Sequence, residues 1–197
     1  FAQSWQPGFC SGKVGYVGCD EPKEYWRKFY TIHGLWPQYN GGGYPQACTT
    51  EAFNSSIPEL VGWNEMVTFW PNAQYAETDP SYSSFWEHEW SKHGTCSGLS
   101  QYDYFSNTID LLKKFGTPSL ISTNTGGSVN AAELRASYGG STMVALQCNT
   151  GNNLSGVYTC WSQTNGKPVG QVVCPPDVQL EDTCTSSETI YVEAFKQ

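Results

Sequence analysis

Long apolar runs, methionine, histidine and positive charge are all scarce in this chain of 197 residues, which has two methionines and three histidines. No stretch approaches the ~20 apolar residues that a membrane-spanning helix needs, so no membrane partner is expected. Ten lysines and arginines face eighteen acidic residues, a net charge of −8. That balance excludes a protein that tracks nucleic acid by a broadly basic surface. A polyanion would need a locally positive pocket, and an acidic medium would help by charging histidines and neutralising carboxylates. Eight cysteines are present, yet none forms a C-x-x-C pair, which argues against a zinc ribbon or a thioredoxin-type redox centre. The even cysteine count, with a first residue Phe1 in place of Met, points to a processed, disulfide-bonded product of an oxidising compartment. Two glycosylation sequons, at Asn54 and Asn153, fit the same setting.

What is present is concentrated. Two of the three histidines fall in Phe85-Trp86-Glu87-His88-Glu89-Trp90-Ser91-Lys92-His93-Gly94-Thr95-Cys96, and the third in Thr31-Ile32-His33-Gly34-Leu35-Trp36-Pro37-Gln38. If 85–93 is helical, His88 and Lys92 share one stripe, and Glu89 and His93 share the next, about 100° round the helix. Trp86 and Trp90 form a further i,i+4 pair able to anchor that helix, and Gly94 is placed to end it. Two imidazoles, an anion and a cation on one broad face suffice for proton transfer and for holding a charged oxygen. The segment nearly spells the zinc motif H-E-x-x-H. Its second histidine, however, comes five positions after the first, about 140° away, so the i,i+4 ligand pair is lost and no metal is expected. A solvated face would explain Glu89 and Lys92 but not two histidines within six residues, flanked by tryptophans.

Along the chain, 1–28 reads as irregular, with a local Cys10–Cys19 bridge. Residues 29–32 read as a strand that delivers His33 at its end, where Gly34 lets the backbone turn. A loop spans 39–50, and one helix is expected from Ser56 to about Phe69, with Leu60, Trp63, Met66, Val67 and Trp70 on its apolar face. The helix at 85–93 is followed by another over 102–115, a loop through Gly127 and a short helix at 130–138. Strands are expected at 143–148, 157–161, 169–174 and 189–195. Helices come mostly first and strands mostly last, so the class is α+β with a central antiparallel sheet, as one domain over 1–197. Most of the large aromatics should fill a core; Trp36, Tyr44 and Phe85, near the histidines, are the candidates for stacking on a ligand.

The two histidine segments resemble the two active-site segments of the ribonuclease T2 family, in the right order and at a plausible separation, with Trp70-Pro71-Asn72 between them fitting as well. The resemblance implies a disulfide-stapled endoribonuclease, secreted or vacuolar/lysosomal, that needs no metal or cofactor. Its expected partner is single-stranded RNA, with no cleavage of DNA, and a monomer is the default. The chemistry implied is transphosphorylation: the ribose 2′-OH attacks its own 3′-phosphate, giving a 2′,3′-cyclic phosphate. By resemblance His33 protonates the leaving 5′-oxygen, His93 deprotonates the 2′-OH, Glu89 orients or tunes His93, and Lys92 with His88 holds the phosphate. The acid and base labels can be exchanged. Trp36 and Tyr44 resemble the aromatic pair that stacks the base on the 5′ side of the cut. Asn72, Gln74 and Phe85 fall where the family builds its second base site, and Gln3 is a further candidate for it; the alternative for Gln3 and Gln74 is an amide that simply faces solvent. Gln38 stands where fungal relatives often carry an acidic residue that helps read the base, so a fungal-type base preference is not expected; the overall reading is one of broad base tolerance. Also by resemblance, the pairs are Cys48–Cys96, Cys148–Cys184, Cys160–Cys174 and Cys10–Cys19. The alternative is a protein on the same scaffold whose work is recognition or storage; such relatives usually lose a motif histidine, and here all three remain.

Overall fold

The computed structural model describes residues 1–184 and 189–196. Residues expected to be irregular open with a strand, β1 (Ala2–Ser4), followed by α1 (Gln6–Cys10), α2 (Val17–Asp20) and a 3-10 turn (Glu24–Arg27). Three residues are too few to show an alternating pattern, and β1 exists through its partners. It pairs antiparallel with β2 (Thr31–Gly34) on one side and with β5 (Asn153–Thr164) on the other.

The expected helix over 56–69 is two helices, α3 (Ile57–Val61) and α4 (Trp63–Phe69). Gly62 between them has φ 119°, which only glycine adopts without strain. The break turns Leu60 out to 64% exposure, while Met66, Val67 and Trp70 remain in the core. Next come α5 (Ser84–Lys92) and α6 (Gln101–Phe115), the latter opened by Ser100, whose side chain accepts from Asp103 N–H. The stretch read as a loop through Gly127 holds a single turn, α7 (Ser119–Ser122), and runs into β3 (Gly127–Asn130) and α8 (Ala131–Ser137).

The last third is mostly strand: β4 (Val144–Asn149), β5, β6 (Lys167–Val172) and β7 (Thr189–Val192), with α9 (Pro176–Gln179) before β7. The long β5 organises it, pairing antiparallel with β1, β4 and β6 and touching β7 through one parallel pair, Asn153–Tyr191. Strand order among the described residues is β2-β1-β5-β7-β3. β5 turns into β6 through Asn165–Gly166, both at positive φ (50° and 80°), the two-residue turn that suits the twist of a hairpin.

Apolar side chains gather in two clusters. One is aromatic and helical, built on Trp70, Trp86, Trp90, Tyr104 and Phe105 with Ile32 of β2. The other lies on the sheet, with Trp5, Tyr30, Leu146, Leu154, Val157 and Ile190. Phe115 packs against both. The four disulfides join Cys10–Cys19, Cys48–Cys96, Cys148–Cys184 and Cys160–Cys174.

Candidate active site

His33 lies inside β2, not at the end of a strand over 29–32: Thr31, Ile32 and Gly34 are the residues in register with β1, and Phe29 is left outside at 39% exposure. Two buried aromatic donors hold this segment from the helical core. Trp70 Nε1 donates to the His33 carbonyl at 2.9 Å, and the Tyr104 hydroxyl donates to the Leu35 carbonyl at 3.0 Å. Trp86 of α5 donates its Nε1–H to the Trp70 carbonyl at 2.7 Å, so a chain of indoles connects the second histidine segment to the first.

α5 ends at Lys92, with His93 as its C-cap and a 3-10 turn over Gly94–Cys96. Gly94 therefore does not cap the helix with a left-handed residue. Its role is space, since a Cβ there would stand 2.3 Å from the Trp90 ring. Gly34 has the same explanation in place of the expected backbone turn: a Cβ would lie 2.1 Å from Glu89 Oε2 and 2.2 Å from Trp36 Nε1. Those two atoms are hydrogen-bonded to each other at 2.8 Å directly over Gly34. The end of α5 is tied to the loop after β2 by Cys48–Cys96, by Ala47 N–H donating to the Lys92 carbonyl at 2.9 Å, and by Thr95 Oγ1, which accepts from Cys48 N–H and donates to the Ser91 carbonyl.

These restraints bring His33 and His93 against the same indole, Trp36. The Trp36 ring stacks on His93 at 5.2 Å and meets His33 edge-on at 5.0 Å. His33, His88, Glu89, Lys92 and His93 all line one cavity of ≈ 430 Å³. Burial, reinforced by the neighbouring His88 and Lys92 charges, holds His33 down at about 4. Burial, then Lys92, His88 and His33, holds His93 at about 4 as well. Lys92 forms no ion pair among the described residues, and His88 is exposed at the rim.

Glu89 departs from its expected part. It is 1% exposed, and its carboxylate is the acceptor for Trp36, not a partner of His93, whose Nδ1 is buried without a hydrogen bond. Desolvation raises Glu89 to about 8, against the opposing pull of Trp36 and Lys92. It is a neutral acid through the acidic range, not the anion that its position on α5 suggested. Among the described residues no three histidine, cysteine, aspartate or glutamate side chains are grouped as a metal's ligands would be.

The expected base-binding residues divide among three cavities that meet at His33. Trp36, Gln38 and Tyr44 line the ≈ 430 Å³ cavity, with Tyr44 49% exposed and 6.2 Å from His93. One face of Trp36 is occupied by His93, so this indole also helps to place that imidazole. Asn72, Gln74 and Phe85 line a second cavity of ≈ 290 Å³, with the Phe85 ring 5.7 Å from His33. Most of the Asn72 amide is committed to its own loop: Nδ2 donates to the Tyr82 carbonyl at 3.0 Å and Oδ1 accepts from Gln74 N–H at 3.2 Å. Gln3 is in neither place expected for it. It is 1% exposed on β1 and opens on a third cavity, while Ser4 and Gln6 line the one beside Asn72.

Sequence reasoning missed Tyr158, Asp177 and Glu181. Tyr158, on β5, meets Trp36 edge-on at 5.4 Å. Asp177 Oδ2 accepts from Gly43 N–H at 2.6 Å, tying the Tyr44 loop to the four-residue α9, and its Oδ1 is buried without a partner. A short helix among prolines carries no periodic signal, so nothing in the sequence pointed to it.

Comparison with known proteins gives one family model, the Ribonuclease T2 family, matching residues 1–174. Ribonuclease 1 of Arabidopsis thaliana is 33% identical over 193 residues, covering 89% of this chain and 78% of the relative. Intracellular ribonuclease LX of Solanum lycopersicum is 36% identical over 118 residues, 58% of this chain and 46% of the relative. The chain thus spans about half the length of the Solanum protein that it matches. Among solved structures, RNase NT in complex with 5′-AMP superposes with a TM-score of 0.66 at 27% identity, covering 89% of this chain and 88% of that one.

Proposed function

The chain belongs to the ribonuclease T2 family, and on that premise we propose that it is an endoribonuclease that cuts single-stranded RNA by metal-independent transphosphorylation. The observation that carries this proposal is the pair His33 and His93, both packed against Trp36 and lining one cavity with Lys92 on its wall.

The reaction needs one neutral and one protonated imidazole. Neutral His93 takes the proton of the 2′-OH as that oxygen attacks the adjacent 3′-phosphate. Protonated His33 gives its proton to the 5′-oxygen as the P–O5′ bond breaks. The products are a 2′,3′-cyclic phosphate and a 5′-OH end, and hydrolysis of the cycle reverses the two roles. Lys92 and His88 face the charge that builds on the phosphoryl oxygens. Neutral Glu89 fixes Trp36 and adds no anion beside the phosphate. DNA lacks the nucleophile and should not be cut. Tyr44 and the open side of Trp36 offer stacking surface for any base, in keeping with broad base tolerance.

Two imidazoles both held down at about 4, mainly by burial, support a working range in acid. Above that value the fraction of molecules with one protonated partner falls about tenfold per pH unit. An acid compartment or an acidic extracellular medium suits this profile and the four disulfides; glycans at Asn54 and Asn153 would be compatible with it.

The test is cleavage of single-stranded RNA in EDTA from pH 4 to 8, comparing the unaltered protein with His33→Ala and His93→Ala and identifying the product ends. The expected result is cyclic phosphate ends, an acid maximum, and a loss of about 10²–10⁴-fold in either variant. A requirement for added metal, or full activity without either histidine, would overturn the mechanism.

A further inference from the structure

The largest of the three cavities at His33 has no part in the chemistry above. Its volume is ≈ 660 Å³, and it runs from His33 and Tyr158 past β1 and β5 to the loop after α1, at Gly12 and Lys13. Three properties bear on what it can hold. No carboxylate lines it or the ≈ 290 Å³ cavity, whereas Glu89, Asp177 and Glu181 line the ≈ 430 Å³ cavity. In a chain of net charge −8, a carboxylate-free cleft is the path of least repulsion for a polyanion. One acid, Glu193, stands just outside the lining, where Ser11 Oγ donates to it at 3.3 Å. Next, the cleft ends at a cation: Lys13 Nζ lies 5.4 Å from the ring centroids of both Phe9 and Tyr16 and forms no ion pair among the described residues. Last, Gln3, 1% exposed, has both its amide oxygen and its amide nitrogen buried without a partner. An unmatched buried donor or acceptor costs about 1–3 kcal/mol, and a primary amide carries both groups side by side, as a nucleobase edge does.

Resting on the ribonuclease proposal, we infer that this cleft binds a further nucleotide of a single-stranded RNA, outside the two that flank the cut. Its base edge meets the Gln3 amide, its flat face has Phe9 and Tyr158 to lie on, and its phosphate is drawn to Lys13. The protein thereby prefers chains longer than a dinucleotide.

The test compares kcat/KM for a dinucleoside monophosphate with that for oligonucleotides extended by two residues on the 5′ or the 3′ side. Extension on one side should raise kcat/KM about tenfold, and Lys13→Gln should remove most of that gain while leaving the dinucleotide within about twofold. Gln3→Leu should also reduce the ratio of long to short substrate. The slope of log kcat/KM against log salt for the long substrate should fall by about one in Lys13→Gln. Because Asn153 lines the cleft, the comparison is repeated in Asn153→Gln, where no glycan can block it. No gain from extension on either side in both backgrounds overturns the inference, as does an equal loss on short and long substrates in Lys13→Gln. Binding of 2′-deoxy single strands of two and four nucleotides, followed by fluorescence, reads the cleft without catalysis. Absence of all RNA cleavage would thus defeat the ribonuclease proposal alone, and a length preference that Lys13→Gln abolishes would still support the cleft.

Discussion

The two sides of the site reach the same electrostatic state by different structural means. His33 and His93 are both held near 4, burial being the main cause for each. On the strand side the backbone of His33 and Leu35 is fastened by Trp70 and Tyr104, side chains of the helical core, and by pairing with β1. On the helix side, His93 follows the last residue of α5, its N–H still donating to the Glu89 carbonyl at 3.0 Å. Beyond that bond the helix end is held by Cys48–Cys96 and by contacts from a loop. One side is as stable as the core, and the other is as stable as a cross-link. The bond from Trp36 to Glu89 joins them.

The largest expected effect tests that joint. In the folded chain Glu89 is raised to about 8 from an ordinary 4.5, so below 4.5 its protonated form costs the fold nothing. From 4.5 to 8 the unfolded chain loses this proton and the folded chain keeps it, so stability falls as pH rises, by up to about 1.4 kcal/mol per unit. Glu89→Gln preserves an oxygen for Trp36 and cannot ionise. Urea unfolding should show the variant equal to the parent near pH 4.5 and about 3–5 kcal/mol more stable at pH 8. A variant less stable at every pH would mean that Glu89 is an anion serving the histidines.

Next in size is the cross-link. The Cys48–Cys96 loop has a sequence separation of 48, for which loss of the bridge should cost about 2–4 kcal/mol. The Cys48→Ala/Cys96→Ala pair should also lose activity at temperatures where it is still folded, because His93 and Lys92 are released while His33 is not. The measurement is kcat alongside circular dichroism at 15 °C; a folded variant with full kcat would show that the helix end holds itself.

The features legible in the sequence were those set by side-chain chemistry at short range. They comprise the ionisable run on α5, its tryptophan anchors and the second histidine segment, while the disulfide pairing came with the family resemblance. What escaped was set at long range. β1 and β3, three and four residues long, acquire strand character only from neighbours far along the chain. Gly34 and Gly94 read as backbone devices, yet each is small because an indole passes over it. Glu89 read as a charge, because no sequence pattern shows a carboxyl with 1% exposure. Gln3 read as surface or base site for the same reason.

The smallest effect sharpens the contrast from the strand side. Tyr104→Phe removes one hydroxyl from a fully buried ring and leaves the Leu35 carbonyl without its 3.0 Å donor. The loss should be about 1–2 kcal/mol, the hydrogen bond together with part of the desolvation of an unmatched acceptor. Activity should change less than threefold, because Trp70 still holds the His33 carbonyl and β1 still pairs with β2. Removing the disulfide on the helix side should lower kcat well before the fold is lost, whereas Tyr104→Phe should lower the melting temperature and leave kcat nearly intact. If Tyr104→Phe instead lowered kcat as far as the cysteine pair does, the strand side would be no more firmly held than the helix end, and the distinction between core and cross-link would fail.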